Sequence, residues 1–233
     1  EQESKKIIFN VRGSQDKKES DISLRFDLTV PLARFLSANP EYPKPFKRYQ
    51  IGNVWRGESP QAGRYREFTQ ADIDIVGTSG MEADAEIIAL MYQTLTNLGI
   101  QNFLVKINNR KILNGLPKFA GFPEKKLFDA LRIVDKQDKI GREGIEKELN
   151  KTFSKKIAAK IIQFLEIDGG ARSKLASARD LFSGNPMVEQ GVRELEEIAE
   201  NLTSYGVKFE NWKIDFATVR GLGYYTGPVF ETV

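Results

Sequence analysis

The stretch RYQIGNVWRGESPQAGRYREFTQADIDIV, residues 48–76, constrains the fold more than any other part of the chain. Tyr49 and Ile51 alternate with Arg48 and Gln50, the period of two of a β-strand. GESPQAG then gathers turn residues and RYREFTQADIDIV alternates again, so the spacing predicts a β-hairpin with a longish loop. Residues two apart on a strand share a face. The even positions of the second strand are Arg64, Arg66, Phe68, Gln70, Asp72 and Asp74, whereas the odd positions include Tyr65, Ala71, Ile73 and Ile75, which suit a core. Guanidiniums match phosphates through bidentate, permanently charged hydrogen bonds. Carboxylates match an ammonium or a ring N–H. The pattern alone leaves two readings open: the solvated polar face of a half-buried sheet, or a surface for a nucleotide and an amine-bearing small molecule laid end to end.

The remaining punctuation predicts an α+β body. DISLRFDLTV reads as a strand, and Pro31 opens a helix through LARFLSAN that stops at Asn39-Pro40. Ser79 and Glu82 have the spacing of a capping box for a helix from about Met81 to Leu98, with Gly99 at its C-terminal stop. NFLVKIN reads as a further strand. From about Leu116 to Gly206 the chain turns helical; Ser154 precedes KKIAAKIIQFL, and Asn185 caps a helix with Pro186 in its first position. Val188, Val192, Leu195, Ile198 and Leu202 form one apolar stripe on that helix. FENWKIDFATV returns to strand character, and RGLGYYTGPVFETV reads as a turn followed by a strand. The expected organisation is a body of residues 1–115, a helical insertion of residues 116–210, and the body's return at 211–233.

Composition restricts the chemistry. The 233 residues include no cysteine and no histidine, which excludes thiolate nucleophiles, Cys- or His-bound metals and imidazole proton relays. What remains is carboxylates, arginines, lysines, hydroxyls and backbone dipoles, a set suited to handling phosphates and other anions. No apolar run of membrane-spanning length occurs. The charged opening EQESKKIIFN is unlike a signal peptide, so a cytoplasmic protein is expected. The net charge of +3 does not by itself imply nucleic-acid binding. It is unevenly spread, however: residues 111–160 hold thirteen Lys/Arg against seven Asp/Glu, and residues 161–210 hold five against nine. The basic half either approaches a phosphate backbone or simply lines solvated helix faces.

Two further segments carry candidate chemistry. VRGLGYYTGPVFE places Arg220 before Gly221, Gly223 and the pair Tyr224 and Tyr225, with Gly227 beyond; its spacing fits neither GxxxxGK[ST] nor GxGxxG. LRFDLTVPLARF puts Asp27 and Thr29 on one face of a predicted strand, although an Asp before a helix is also a common cap. Each segment alone is equally a glycine turn or a structural cap.

Together and in this order, the three segments resemble the histidyl-tRNA synthetases, class II aminoacyl-tRNA synthetases. WRGESPQAGRYREFTQADIDIVG is similar to their motif 2, RGLGYYTGPVFE to their histidine-specific box, and LRFDLTVP to the strand that meets the amino acid. The resemblance covers nearly the whole chain. It implies a mixed, mainly antiparallel sheet flanked by helices, with a helical insertion domain. It implies ATP-dependent activation of histidine to histidyl-adenylate and transfer to tRNA-His, with Mg2+ held mainly through the ATP phosphates. By the same resemblance, Arg56 holds the α-phosphate and the histidine carboxylate, Glu58 meets the adenine, Arg64 reaches the terminal phosphates and Phe68 stacks on the base. Asp27, Thr29 and Gln70 surround the α-amino group. Asp74 and Tyr225 hydrogen-bond the imidazole with Tyr224 beside them, and Arg220 adds a second arginine on the α-phosphate side. In such a reaction the histidine carboxylate is the nucleophile, so no general base is needed, in keeping with a chain lacking His and Cys.

The sequence departs from the family at Gly223, where many members carry Asp, and at Asp74, where some branches carry the longer Glu. Motif 1, motif 3 and the anticodon-binding domain are expected outside residues 1–233, which marks the chain as an internal piece of a homodimeric enzyme that by itself forms no complete ATP site. Three rival readings follow from related folds or composition. One is a catalytically inactive regulatory subunit of ATP phosphoribosyltransferase, in which the phosphate-binding arginines need not persist. The others are a domain sensing uncharged tRNA and a plain RNA-binding protein.

Overall fold

The computed structural model describes residues 7–13, 22–220 and 225–233, and the chain divides into two compact units, Glu1–Ser79 and Gly80–Val233.

In the first unit a short antiparallel pair joins β1 (Asn10–Val11) to β2 (Ile22–Ser23). Helix α1 (Thr29–Ala38) follows, then the long hairpin of β3 (Phe46–Trp55) and β4 (Glu67–Val76). The hairpin register runs without a bulge from Phe46 opposite Val76 to Trp55 opposite Glu67. Phe35, Tyr42 and Phe46 form an aromatic cluster at its open end, beside the cis Lys44–Pro45 bond.

The strand expected over DISLRFDLTV is confined to Ile22–Ser23, and α1 begins at Thr29, two residues before Pro31. The reason lies in where the backbone of residues 25–28 spends its hydrogen bonds. The Arg25 carbonyl accepts from the Trp55 N–H at 3.0 Å. Those of Phe26 and Leu28 accept from the side chains of Arg56 and Arg48 at 3.2 and 3.0 Å. With the Phe26 and Leu28 acceptors taken by arginine side chains, the segment cannot continue a backbone ladder. Asp27 and Thr29 therefore do not share a strand face. Instead the Asp27 carboxylate caps α1, accepting from the N–H groups of Thr29 and Val30 at 3.1 and 3.3 Å.

In the second unit, helix α2 (Glu82–Asn97) starts from Met81 without a side-chain cap, so the expected capping box does not form; Gly99 ends it at φ 79°. Among the described residues of this unit a three-stranded sheet has β5 (Val105–Asn109) at its centre. β5 is parallel to β6 (Trp212–Ile214) and antiparallel to β7 (Pro228–Thr232). Everything between β5 and β6 is helical or turn: α3 (Arg110–Leu113), α4 (Leu116–Ala120), α5 (Leu127–Val134), α6 (Gln137–Thr152), α7 (Lys155–Leu165), α8 (Ala171–Leu181) and α9 (Pro186–Ser204). Ser154 and Asn185 cap α7 and α9 as expected. The stripe from Val188 to Leu202 is buried in one core with Val105, Ile107, Ile214 and Phe216. Adjacent parallel strands separated by so long a helical excursion hold together because both ends of the excursion share that core. No helix among the described residues is long and apolar enough to cross a membrane.

Candidate functional site

Directly opposed residues of an antiparallel pair lie on the same face. The register therefore places Arg48, Gln50, Gly52 and Val54 of β3 together with Asp74, Asp72, Gln70 and Phe68 of β4. This polar face is the covered one. Residues of the Arg25–Leu28 segment lie against it so closely that a Cβ on Gly52 would stand 3.2 Å from an Arg25 guanidinium nitrogen. The opposite, apolar face is open: Tyr49 is 79% and Ile51 66% exposed, and Ile73 is exposed as well. The expectation that the odd positions face a core is thus overturned for this unit. Alternation sets which residues share a face; the segment that packs against the hairpin selects which face is covered.

On the covered face the polar groups are paired end to end. The Arg56 guanidinium lies 4.5 Å from the ring centre of Phe26 and 5.1 Å from that of Phe68, an arginine held by two aromatic surfaces. Its Nε donates to the Phe26 carbonyl at 3.2 Å and its Nη2 to Gln70 Oε1 at 3.4 Å. Gln70 Nε2 in turn donates to Asp72 Oδ1 at 2.6 Å. Arg48 Nε donates to Asp74 Oδ2 at 2.9 Å, and Arg48 also donates to Gln50. The run from Arg56 through Gln70 and Asp72 to Asp74 thus grades from cation to anion, as a ligand with a phosphate at one end and an amine or N–H at the other requires. Asp72, which the sequence pattern leaves without a role, fixes the Gln70 amide: with Nε2 bound to a carboxylate, Oε1 is the end presented as an acceptor.

Arg64 and Arg66 lie in the connector, because β4 begins only at Glu67. Glu58 organises both: its carboxylate pairs with Arg64 Nε at 3.0 Å, and its carbonyl accepts from Arg66 Nε at 3.2 Å. Arg64 remains 59% exposed, so this contact is a weak tie that an anionic ligand can replace.

The second unit carries the other candidates. Arg220 Nη1 pairs with Glu231 Oε1 at 3.4 Å. The loop leading to Arg220 is fixed by Asn108, whose fully buried side chain donates to the carbonyls of Phe216 and Thr218 at 3.1 and 3.0 Å. Tyr225 is partly exposed. Tyr224 and Gly223 lie outside the described residues. The structure thus brings together Arg56, Phe68, Gln70 and Asp74, places Asp27 and Thr29 at the adjoining helix start, and seats Glu58 with Arg64 in the connector. Sequence reasoning missed Arg48, Phe26, Asn108 and Glu231. Arg48 had a usable signal, since it shares strand parity with Gly52 and Val54; the others act through contacts distant in sequence.

Comparison with known proteins matches residues 2–233 to the histidyl-tRNA synthetase family model. Curated relatives named histidine–tRNA ligase include those of Clostridium tetani, 44% identical over 222 residues, and Helicobacter pylori strain 26695, 43% identical over 227 residues. Each alignment takes in 94% of this chain and 50% of the relative, so the chain spans about half the length of the curated relatives it matches. Among solved structures, the histidyl-tRNA synthetase of Nostoc sp. PCC 7120 superposes with a TM-score of 0.83 at 32% identity, covering 97% of this chain and 52% of that one. A Bacillus halodurans structure, described as an ATP phosphoribosyltransferase regulatory subunit/histidyl-tRNA synthetase, gives a TM-score of 0.80 at 28% identity, covering 97% of this chain and 57% of that one.

Proposed function

The chain belongs to the histidyl-tRNA synthetase family, and from that premise we propose that it supplies the histidine-activating face of a histidine–tRNA ligase. The observation that carries the reading is the graded polar face of the hairpin: Arg56 between two aromatic rings at one end, Gln70 in the middle and Asp74 at the other.

In the proposed reaction the histidine carboxylate attacks the α-phosphorus of ATP and pyrophosphate leaves, giving histidyl-adenylate. Two anions must approach, and negative charge gathers on the α-phosphate oxygens as the new bond forms. Arg56 is suited to hold both, because its guanidinium is permanently charged and already oriented by the Phe26 carbonyl and the two rings. Arg220 is proposed as a second cation for the α-phosphate and Arg64 for the terminal phosphates. Phe68 and Glu58 are proposed to meet the adenine. Asp27, Thr29 and Gln70 receive the α-amino group, and Asp74 with Tyr224 and Tyr225 the imidazole. Among the described residues no group of three or more His, Cys, Asp or Glu side chains is gathered to hold a metal ion. Mg2+ is proposed to arrive on the ATP phosphates, while the chain contributes arginines.

Residues 116–210 are proposed as the insertion domain, and the whole protein is proposed to work as a cytoplasmic homodimer that charges tRNA-His. The test is histidine-dependent ATP–pyrophosphate exchange and charging of tRNA-His by the complete gene product, with Arg56→Ala and Arg220→Ala alongside. Both reactions are expected, and each variant is expected to lose exchange. Robust charging without Arg220 would remove its assigned role. A gene product that binds histidine yet neither exchanges nor charges would favour the second reading, a regulatory subunit, to which the Bacillus halodurans likeness points.

A further inference from the structure

The amino-acid end of the hairpin face is organised by a residue to which none of these roles falls. Arg48 stands opposite Asp74 in the hairpin register, and its guanidinium engages all three of its nitrogens. Nε donates to Asp74 Oδ2 at 2.9 Å, Nη2 to the Leu28 carbonyl at 3.0 Å, and Nη1 to the Gln50 side-chain oxygen. The Leu28 carbonyl lies between Asp27 and Thr29 in the chain. One cation therefore ties three separate segments: the start of α1, β3 and β4. The pair is shielded, with the Arg48 and Asp74 side chains 16% and 21% exposed. Charges so withdrawn from water depend on each other for their placement.

We propose that Arg48 is the positioning residue of the histidine pocket. It holds Asp74 by Oδ2 so that Oδ1 accepts the imidazole N–H, and it fixes the Asp27–Thr29 segment, which receives the α-amino group, to the same guanidinium. The inference rests on the histidine-binding reading above. A carboxylate one methylene shorter than Glu has little freedom to find a ring N–H, so its position must be set by a neighbour. A planar fork with donors in three directions does this; a lysine ammonium on a flexible stem does not.

The test is histidine-dependent pyrophosphate exchange by the complete gene product as wild type, Arg48→Gln and Arg48→Lys, with thermal transitions followed in parallel. Histidine is compared with 2-thiazolylalanine, an analogue whose ring has no N–H. In Arg48→Gln the KM for histidine is expected to rise roughly 10- to 100-fold. Arg48→Lys recovers little of this. The KM for ATP is expected to stay within about threefold of wild type, and in an Asp74→Asn background removal of Arg48 raises the histidine KM by a smaller factor than it does alone, the remainder coming from the Asp27–Thr29 segment. The preference for histidine over the thiazole analogue falls, whereas a general packing defect lowers activity on both alike. If Arg48→Gln does not fold, Arg48→Lys decides on the same measures. A folded variant with unchanged histidine KM and unchanged ring preference overturns the inference and leaves the histidine reading standing. A wild-type protein that neither binds nor activates histidine overturns both.

Discussion

The Gln70 side-chain nitrogen donates to Asp72 Oδ1 at 2.6 Å, across two positions of the same strand face. A neutral amide bound to a carboxylate in this way cannot turn its nitrogen toward the ligand without losing a charge-assisted bond of about 1.5–3 kcal/mol. Asp72→Asn makes both orientations of Gln70 comparable. The competent orientation then falls to about half of the molecules, so the histidine KM in pyrophosphate exchange is expected to rise about twofold, with the ATP KM unchanged. An unaltered histidine KM would show that the ligand does not depend on the orientation of Gln70.

Arg56 is held between Phe26 and Phe68 before any ligand arrives, so its contribution belongs to the rate more than to ground-state binding. Arg56→Ala is expected to lower the exchange rate by about 10²–10³-fold, the scale for removing one donor to a developing charge. Arg56→Lys should restore little of it, since an ammonium cannot reproduce the planar fork. Single-turnover formation of the adenylate separates this from a binding defect.

Asn108 is fully buried, and its amide satisfies two carbonyls of the loop before Arg220 while its oxygen accepts from the Asn109 N–H at 2.8 Å. Asn108→Ala leaves all three without partners and is expected to cost about 2–4 kcal/mol. Denaturant titration checks this. Loss of exchange rate beyond that of a core variant of equal stability would trace the effect to Arg220.

Asp84 on α2 has its carboxyl pushed above the usual range, first by burial and then by the nearby charge of Glu194, partly opposed by a backbone hydrogen bond. A raised folded-state value means that the folded protein holds this proton more tightly than the unfolded chain. The stability it contributes is therefore complete below the ordinary value of 3.8 and is lost as pH rises through the raised one. Asp84→Asn is expected to raise the melting temperature at neutral pH. That advantage should shrink as pH falls and vanish below about pH 4. A gain that does not change with pH would rule out the carboxylate charge as its cause.

Much of the architecture is local and was legible in the sequence. The period of two in β3 and β4, the Asn185-Pro186 start of α9 with its stripe from Val188 to Leu202, and the Ser154 cap of α7 follow from side chains acting on their own or adjacent turns. The absence of Cys and His likewise limited the chemistry to charge and position without reference to any fold. What only the tertiary structure decided is which hairpin face is covered and which residues hold the site together. Tyr49, Ile51 and Ile73 have the composition of a core face, yet they stay open. The acceptors that Arg48 and Arg56 need come from the carbonyls of Leu28 and Phe26, 20 and 30 residues upstream. Those carbonyls are invisible in a side-chain pattern, and supplying them keeps residues 25–28 from forming the strand that their own sequence predicts.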